Sequence, residues 1–228
     1  MFNVDAFLSY LINPYLLGGV AITIGLTITT IIIGLALALP LALASMSDRA
    51  FLRGPAKFYI WIFRGSPLLV QIFLIYYGLS QFPALRQSIL WPFLRQPYWC
   101  AVLALALNTA AYASEIIRGG LIAVPSGVIE AGRALGLSPV RLFRLIVLPL
   151  AVRQALPGYG NEIVIMVKST ALASIITLME ITGIAHQIIG DTFRAFEVFL
   201  CAGAIYLALN SLIARGVWLI ERRLSPIV

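Results

Sequence analysis

SGVIEAGRALGLSPVRLFRLIVLP, residues 126–149, is a polar, arginine-bearing stretch set between long apolar runs. Pro125 stops the segment before it, and the Ser126 hydroxyl is placed to accept an orphan backbone N–H of the next turn. Residues 127–135 predict a short helix, about 14 Å long at 1.5 Å per residue. Gly136 stands where a helix exit wants a left-handed residue, and Ser138-Pro139 restarts a helix with proline in its first turn. Val128, Ala131 and Leu135 share one face of the short helix, while Glu130 and Arg133 project elsewhere. A rigid helix-turn-helix of this kind, kept in a short loop, is suited to take force from a docked partner.

The surroundings of this stretch are greasy. Of 228 residues, 61% are hydrophobic and only 11% charged, and the mean hydropathy is +0.98. Soluble domains carry roughly 25% charged residues, so an ordinary globular fold is excluded. Apolar runs long enough for a hydrocarbon core of about 30 Å recur at about residues 17–44, 56–80, 98–118, 156–179 and 197–220. The whole chain reads as one all-α integral membrane domain of about five spans, with residues 126–149 as a loop. The start, Met1 to Tyr10, holds Asp5 and no Lys or Arg, unlike a cleaved secretory signal, so the first span is expected to be retained. Cys100 and Cys201 sit at apolar positions without metal spacing and read as packing residues. There is no evident internal repeat and no low-complexity segment.

Local detail refines the spans. Thr23, Thr27, Thr30 and Gly34 put small, weakly polar groups on one face of the first, a surface that lets membrane helices approach. Gly65-Ser66-Pro67 interrupts the second, predicting an interfacial approach helix over 55–64 and then a sharp bend. Tyr98-Trp99 suit the headgroup level at the entry to the third. Residues 81–97 and 180–196 read as connections, and His186, the single histidine, as a solvated loop residue in the second of them.

Charge orients the bundle. The net charge of +7 does not indicate nucleic acid, because the bases flank hydrophobic segments. After spans one, three and five, and in their flanks, stand Arg49, Arg53, Lys57, Arg64, Arg118, Arg133, Arg141, Arg144, Arg153, Arg215, Arg222 and Arg223. The other side holds Arg86, Arg95 and Arg194. By the positive-inside rule the amino terminus is outside, and the carboxyl terminus and residues 126–149 are cytoplasmic.

Polar groups inside the spans are costly and so are functional candidates. Asn108, Tyr112 and Glu115 share one face of the third span. Asn161 and Lys168 share a face of the fourth, with Glu162 and Ser169 on the neighbouring face and Thr170 just beyond. Two readings stand: interhelical partners that fix the bundle, or a path on which Glu115 or Glu162 meets a cationic substrate side chain.

The stretch 126–149 closely resembles the EAA loop of ABC importer membrane subunits, where EAA is followed by a glycine and then I-x-LP. Here it reads Glu130-Ala131-Gly132, Gly136 and Ile146-Val147-Leu148-Pro149. Arg64-Gly65-Ser66-Pro67-Leu68-Leu69-Val70-Gln71 resembles the RG[TS]PLLVQ run of polar amino-acid permeases, and Asn108-Thr109-Ala110-Ala111-Tyr112-Ala113-Ser114-Glu115 resembles that family's third-span motif. Leu156 to Glu162, continuing to Lys168-Ser169-Thr170-Ala171-Leu172, is similar to the M-type subunits of histidine, lysine-arginine-ornithine and opine importers. Two departures are Gly132, where a second alanine is usual and where glycine would loosen the helix by about 1 kcal/mol, and Ser169, where many relatives are acidic.

The resemblance implies the transmembrane domain of a type I ABC importer, with a cytoplasmic coupling helix and an ATPase-coupling set of Glu130, Ala131, Gly132, Gly136, Leu148 and Pro149. It implies a bacterial inner-membrane subunit paired with a second permease subunit, similar or identical, the M-type resemblance favouring a paralogue in a heterodimer. Two cytoplasmic ATPase subunits would use ATP and Mg, and a periplasmic solute-binding protein would deliver a basic amino acid or an opine. Asn108, Tyr112, Glu115, Asn161, Glu162, Lys168, Ser169 and Thr170 are the substrate-path candidates. This chain has no GxxxxGK[ST] phosphate loop, so no cofactor and no enzymatic activity are expected of it. The alternative is an ion-gradient-driven secondary amino-acid transporter, which would usually show repeated halves. An intramembrane hydrolase lacks a nucleophile–base pair, and a purely structural scaffold would not need the docking loop.

Overall fold

The computed structural model describes residues 4–224, which are helical with no strand among them. α1 (Val4–Leu11) leads to Asn13, whose Oδ1 accepts the Tyr15 N–H at 2.8 Å. That cap, with Pro14 in the first turn, starts α2 (Pro14–Ser45). At 32 residues, or roughly 48 Å, α2 exceeds the hydrocarbon thickness and must tilt or project. Its Thr23, Thr27, Thr30 and Gly34 are all buried, the face expected from their spacing.

α3 (Ala50–Gly65) begins five residues before the approach helix read from the sequence. Ser66 is extended, Pro67 cannot continue the ladder, and the axis turns by 106° into the Leu68–Gln81 segment. That segment opens as α4 (Leu68–Phe73). Two short turns, α5 (Pro83–Arg86) and α6 (Trp91–Leu94), precede α7 (Pro97–Ile122), the hub of the bundle. Cys100, Ala101, Ala104, Ala106, Ala110, Ala111 and Ala113 of α7 are fully buried, small enough for α2 and α10 to pack closely on either side. A Cβ on Gly34 would lie 2.8 Å from Thr109 Cγ2. Gly34→Leu is therefore expected to lower the melting temperature of the detergent-solubilised protein, overpacking costing about 1–3 kcal/mol. Gly18→Leu, where no neighbouring atom lies within 4 Å, should leave it unchanged.

After α7 come α8 (Ser126–Ala134), α9 (Pro139–Leu142) and a wide turn at Phe143–Val147 that feeds α10 (Leu148–Ser169). The Leu148 N–H reaches Phe143 O, five residues back, just before Pro149. A proline has no N–H and crowds the carbonyl four residues earlier, and widening the turn relieves both. A 3-10 turn at Thr170–Ile176 follows, then α11 (Ile181–Thr192) and α12 (Ala195–Leu224).

The second connection, over 180–196, is thus largely the helix α11. Fully buried Glu180 starts it: its Oε1 accepts a hydrogen bond from the Gly183 N–H at 2.8 Å, and its Oε2 accepts one from the Tyr206 hydroxyl of α12. α11 lies on α2 where Gly19 has no side chain, since a Cβ there would sit 2.7 Å from Ile181 N. His186 is exposed on α11, edge-on to the Phe199 ring. Cys100 and Cys201 are buried and unbridged. Among the described residues three helices are long and apolar enough to cross a membrane, and counting each of two bent pairs as a span makes up to five.

Candidate functional site

The loop after α7 builds a compact unit. Pro125, not Ser126, is the extended residue before α8, and no side chain caps that end; Ser126 is already helical. At the other end Gly136 has φ +75°, its N–H meets Arg133 O at 2.9 Å, and the Leu137 N–H meets Gly132 O at 3.2 Å. This pair of bonds, the first from the left-handed residue and the second from the one after it, is the Schellman arrangement.

Gly132 is the buried residue of α8. A Cβ there would stand 2.5 Å from Leu142 Cδ1 and 2.9 Å from Ile146 Cδ1. The glycine therefore does not loosen the unit; it lets α8 sit close against α9 and the wide turn. With that face turned in, Glu130, Val128, Ala131 and Leu135 are all exposed, the last at 81%. The apolar face read from the sequence is thus the outward one. Leu148 and Pro149 are also exposed, on the first turn of α10.

The second group of candidates divides around α7. Buried Asn108 donates from Nδ2 to Phe63 O at 3.2 Å and to Gln71 Oε1 at 3.0 Å. Gln71 Nε2 in turn donates to Phe63 O, Ser66 O and Ser66 Oγ at 2.9, 3.2 and 2.9 Å. These bonds satisfy carbonyls freed by the break after Gly65 and hold the bend. Sequence reasoning gives Gln71 no role, because its work depends on a bend that brings residue 71 back to residue 63.

One turn further along α7, Arg64 lies over the Tyr112 ring at 5.2 Å. Glu115 accepts two hydrogen bonds from Arg118, at 3.0 and 2.7 Å, and lies 3.8 Å from Arg64. The third-span stripe is therefore engaged within the chain.

On α10 the outcome differs. Asn161 and Lys168 are exposed, while Glu162 is 7% exposed and faces Thr109 of α7, within coulombic reach of Arg64. Ser169 and Thr170 donate their hydroxyls to Ile165 O and Val167 O of α10, at 2.9 and 2.7 Å. Glu162 is thus brought beside the α7 cluster, and Asn161 and Lys168 are turned away from it.

Comparison with known proteins follows the same lines. The family profile described as binding-protein-dependent transport system inner membrane component matches residues 30–226. An octopine transport system permease protein of Rhizobium meliloti is 61% identical, over 92% of this chain and 86% of its own length. A nopaline transport system permease protein of Agrobacterium fabrum is 50% identical over 93% and 89%. A histidine/lysine/arginine/ornithine transport system permease protein of Salmonella typhimurium is 41% identical over 87% and 85%. Among solved structures, an amino acid ABC transporter crystallised with histidines superposes with a TM-score of 0.86 at 35% identity, over 98% of this chain and 99% of that one. An inward-facing methionine ABC transporter, 20% identical, shares the fold at a TM-score of 0.75, over 93% and 97%.

Proposed function

The chain belongs to the family of binding-protein-dependent transport system inner membrane components, and from that premise we propose that it carries an opine, or failing that a basic amino acid, inward across the bacterial inner membrane. It is a multi-pass permease subunit of an ABC importer for amino acids or opines, a transport subunit and not an enzyme. The octopine and nopaline relatives are more similar to it than the histidine/lysine/arginine/ornithine one, which favours the opine.

The observation that carries the mechanism is α8, a helix closed at its C-terminal end by the Gly136 turn, whose apolar face and Glu130 are exposed. α8 is the seat for one of two cytoplasmic ATPase subunits, which bind ATP and Mg. A paralogous permease subunit completes the membrane pathway, and a periplasmic binding protein loads it. The bases around α8, after α2 and in the last turns of α12 favour a cytoplasmic position for these ends, with the amino terminus in the periplasm. Closure of the ATPases shifts α8, and α9 and the wide turn pass the shift to α10. That requires α8 to make different contacts in the two states.

The test is uptake into proteoliposomes holding the whole importer, with binding protein outside and ATP inside, across a panel of opines and basic amino acids. Uptake is expected to need both ATP and binding protein and to be fastest for an opine. Glu130→Lys, a charge reversal on the docking face, should lower it at least about tenfold with unchanged protein level. Uptake that persists without ATP and collapses with the proton gradient would instead establish a secondary transporter.

A further inference from the structure

A cavity of about 530 Å³ opens where α3 crosses the C-terminal ends of α2 and α7. Lys57, Arg64 and Arg118 line it, and Glu115 is the one carboxylate among its walls. Glu115 is already held by Arg118 in two hydrogen bonds, with Arg64 at 3.8 Å. Lys57 acts on Glu115 through space only. Three bases against one acid leave the cavity two positive charges in excess. A site like this, at the edge of a low-dielectric bundle, favours an anion that can take charge-assisted hydrogen bonds.

The helix beside the cavity says what kind of anion. Phe51, Phe58 and Trp61 of α3 are 69%, 61% and 70% exposed and fall on one side of the helix with Ile62. Ala56 and Ile60, on the other side, are buried against the bundle. A helix with a bare aromatic face edged by bases lies in the boundary between headgroups and acyl chains, and Trp is enriched at that level. The bases are thus held beside a surface that lipid tails would cover.

We propose that this cavity binds the headgroup phosphate of an anionic phospholipid, with Lys57 and Arg64 as the phosphate-binding bases and the aromatic face of α3 lying against the acyl chains. Basic pockets between membrane helices on the cytoplasmic side bind such headgroups. The choice of the inner leaflet rests on the orientation proposed above; the lipid class does not. Inorganic phosphate offers the same charge but nothing to cover Phe51, Phe58 and Trp61, so the lipid is the occupant the surface fits.

The whole importer is reconstituted in nanodiscs with equal phosphatidylglycerol and phosphatidylcholine in both leaflets, stripped with detergent, and its retained lipid counted by mass spectrometry. Phosphatidylglycerol is expected to be enriched over phosphatidylcholine. The enrichment should fall about fivefold in Lys57→Gln, as one base near a membrane surface contributes, and return in Lys57→Arg. Equal retention of the two lipids by the unmodified importer overturns the proposal, and so does enrichment unchanged by Lys57→Gln. Displacement of phosphatidylglycerol by inorganic phosphate alone would mark a free-anion site and overturn it too. Protection of Lys57 from an amine-acylating reagent in discs of phosphatidylcholine alone would put a protein surface over the cavity, and would equally overturn the lipid site. The lipid count does not depend on orientation: labelling of Ser47→Cys from outside the cell would overturn the leaflet and leave the lipid site standing.

Discussion

Gly136→Pro is expected to abolish ATP-driven uptake while the chain stays in the membrane at its normal level. Gly136 has φ +75°, and its N–H holds Arg133 O at 2.9 Å. Proline fixes φ near −65° and has no N–H, so the substitution breaks both the conformation and the bond, at about 3 kcal/mol or more. The Leu137 N–H to Gly132 O bond, at 3.2 Å, belongs to the same turn and goes with it. α8 then loses its fixed angle to α9, and with it the close seat of Gly132 on Leu142 and Ile146. None of these atoms lies in α2, α7 or α12, the three long spans, so insertion is unaffected. Gly136→Asn, which tolerates the left-handed region, should keep most of the uptake, and Gly136→Ala should fall between, at a cost of about 1–2 kcal/mol. Uptake, ATP hydrolysis and membrane level are measured together on each variant. A proline variant that transports at the normal rate would show that α8 does not couple the two subunits.

Much of this architecture is legible in the sequence because its causes are local. Asn13-Pro14 starts α2, Ser66-Pro67 stops α3, and Gly136 ends α8, each through a backbone property of one or two residues. Where the structure departs from the sequence reading, the causes are distant. Residues 180–196 look like a connection because Glu is not a common helix cap; Glu180 becomes one because Tyr206, 26 residues on, holds its second oxygen. Gly132 looks like a loosened helix because the atoms that exclude a Cβ belong to Leu142 and Ile146, on the next helix and the turn after it. Which side of α8 faces inward follows from that contact, not from the apolar spacing of Val128, Ala131 and Leu135.

The polar interior divides in the same way. Periodicity places Asn108, Tyr112 and Glu115 on one face correctly, but cannot supply their partners. Those are Gln71 and Arg64, on either side of a 106° bend, and Arg118 one turn away. With these in place, we propose that the stripe on α7 braces the broken span and that a cargo is met from α10.

Glu162→Gln is the variant that tests that narrowing. Glu162 is 7% exposed within α10 and forms no ion pair within 4 Å among the described residues. Burying a carboxylate without a counter-charge costs several kcal/mol, which makes such a group in a membrane protein a candidate for binding. Thr109 facing it offers a neutral hydroxyl, and Arg64 acts only at a distance. A cationic cargo passing between α7 and α10 would supply the missing charge. Glutamine keeps the shape and removes the charge, so the charge-assisted part of that contact, about 1.5–3 kcal/mol, should vanish. Uptake of cargo with a cationic side chain should then fall by about tenfold or more, and an analogue with a neutral side chain should be carried as before. Protein level should hold or rise, because a buried charge has been removed. Glu115→Gln should behave differently: it frees Arg118 and Arg64 together, and its first effect should be on stability, with the preference among cargoes retained. Unchanged uptake and unchanged preference in Glu162→Gln, at equal protein level, would return Glu162 to the helix contacts and take the cargo path elsewhere.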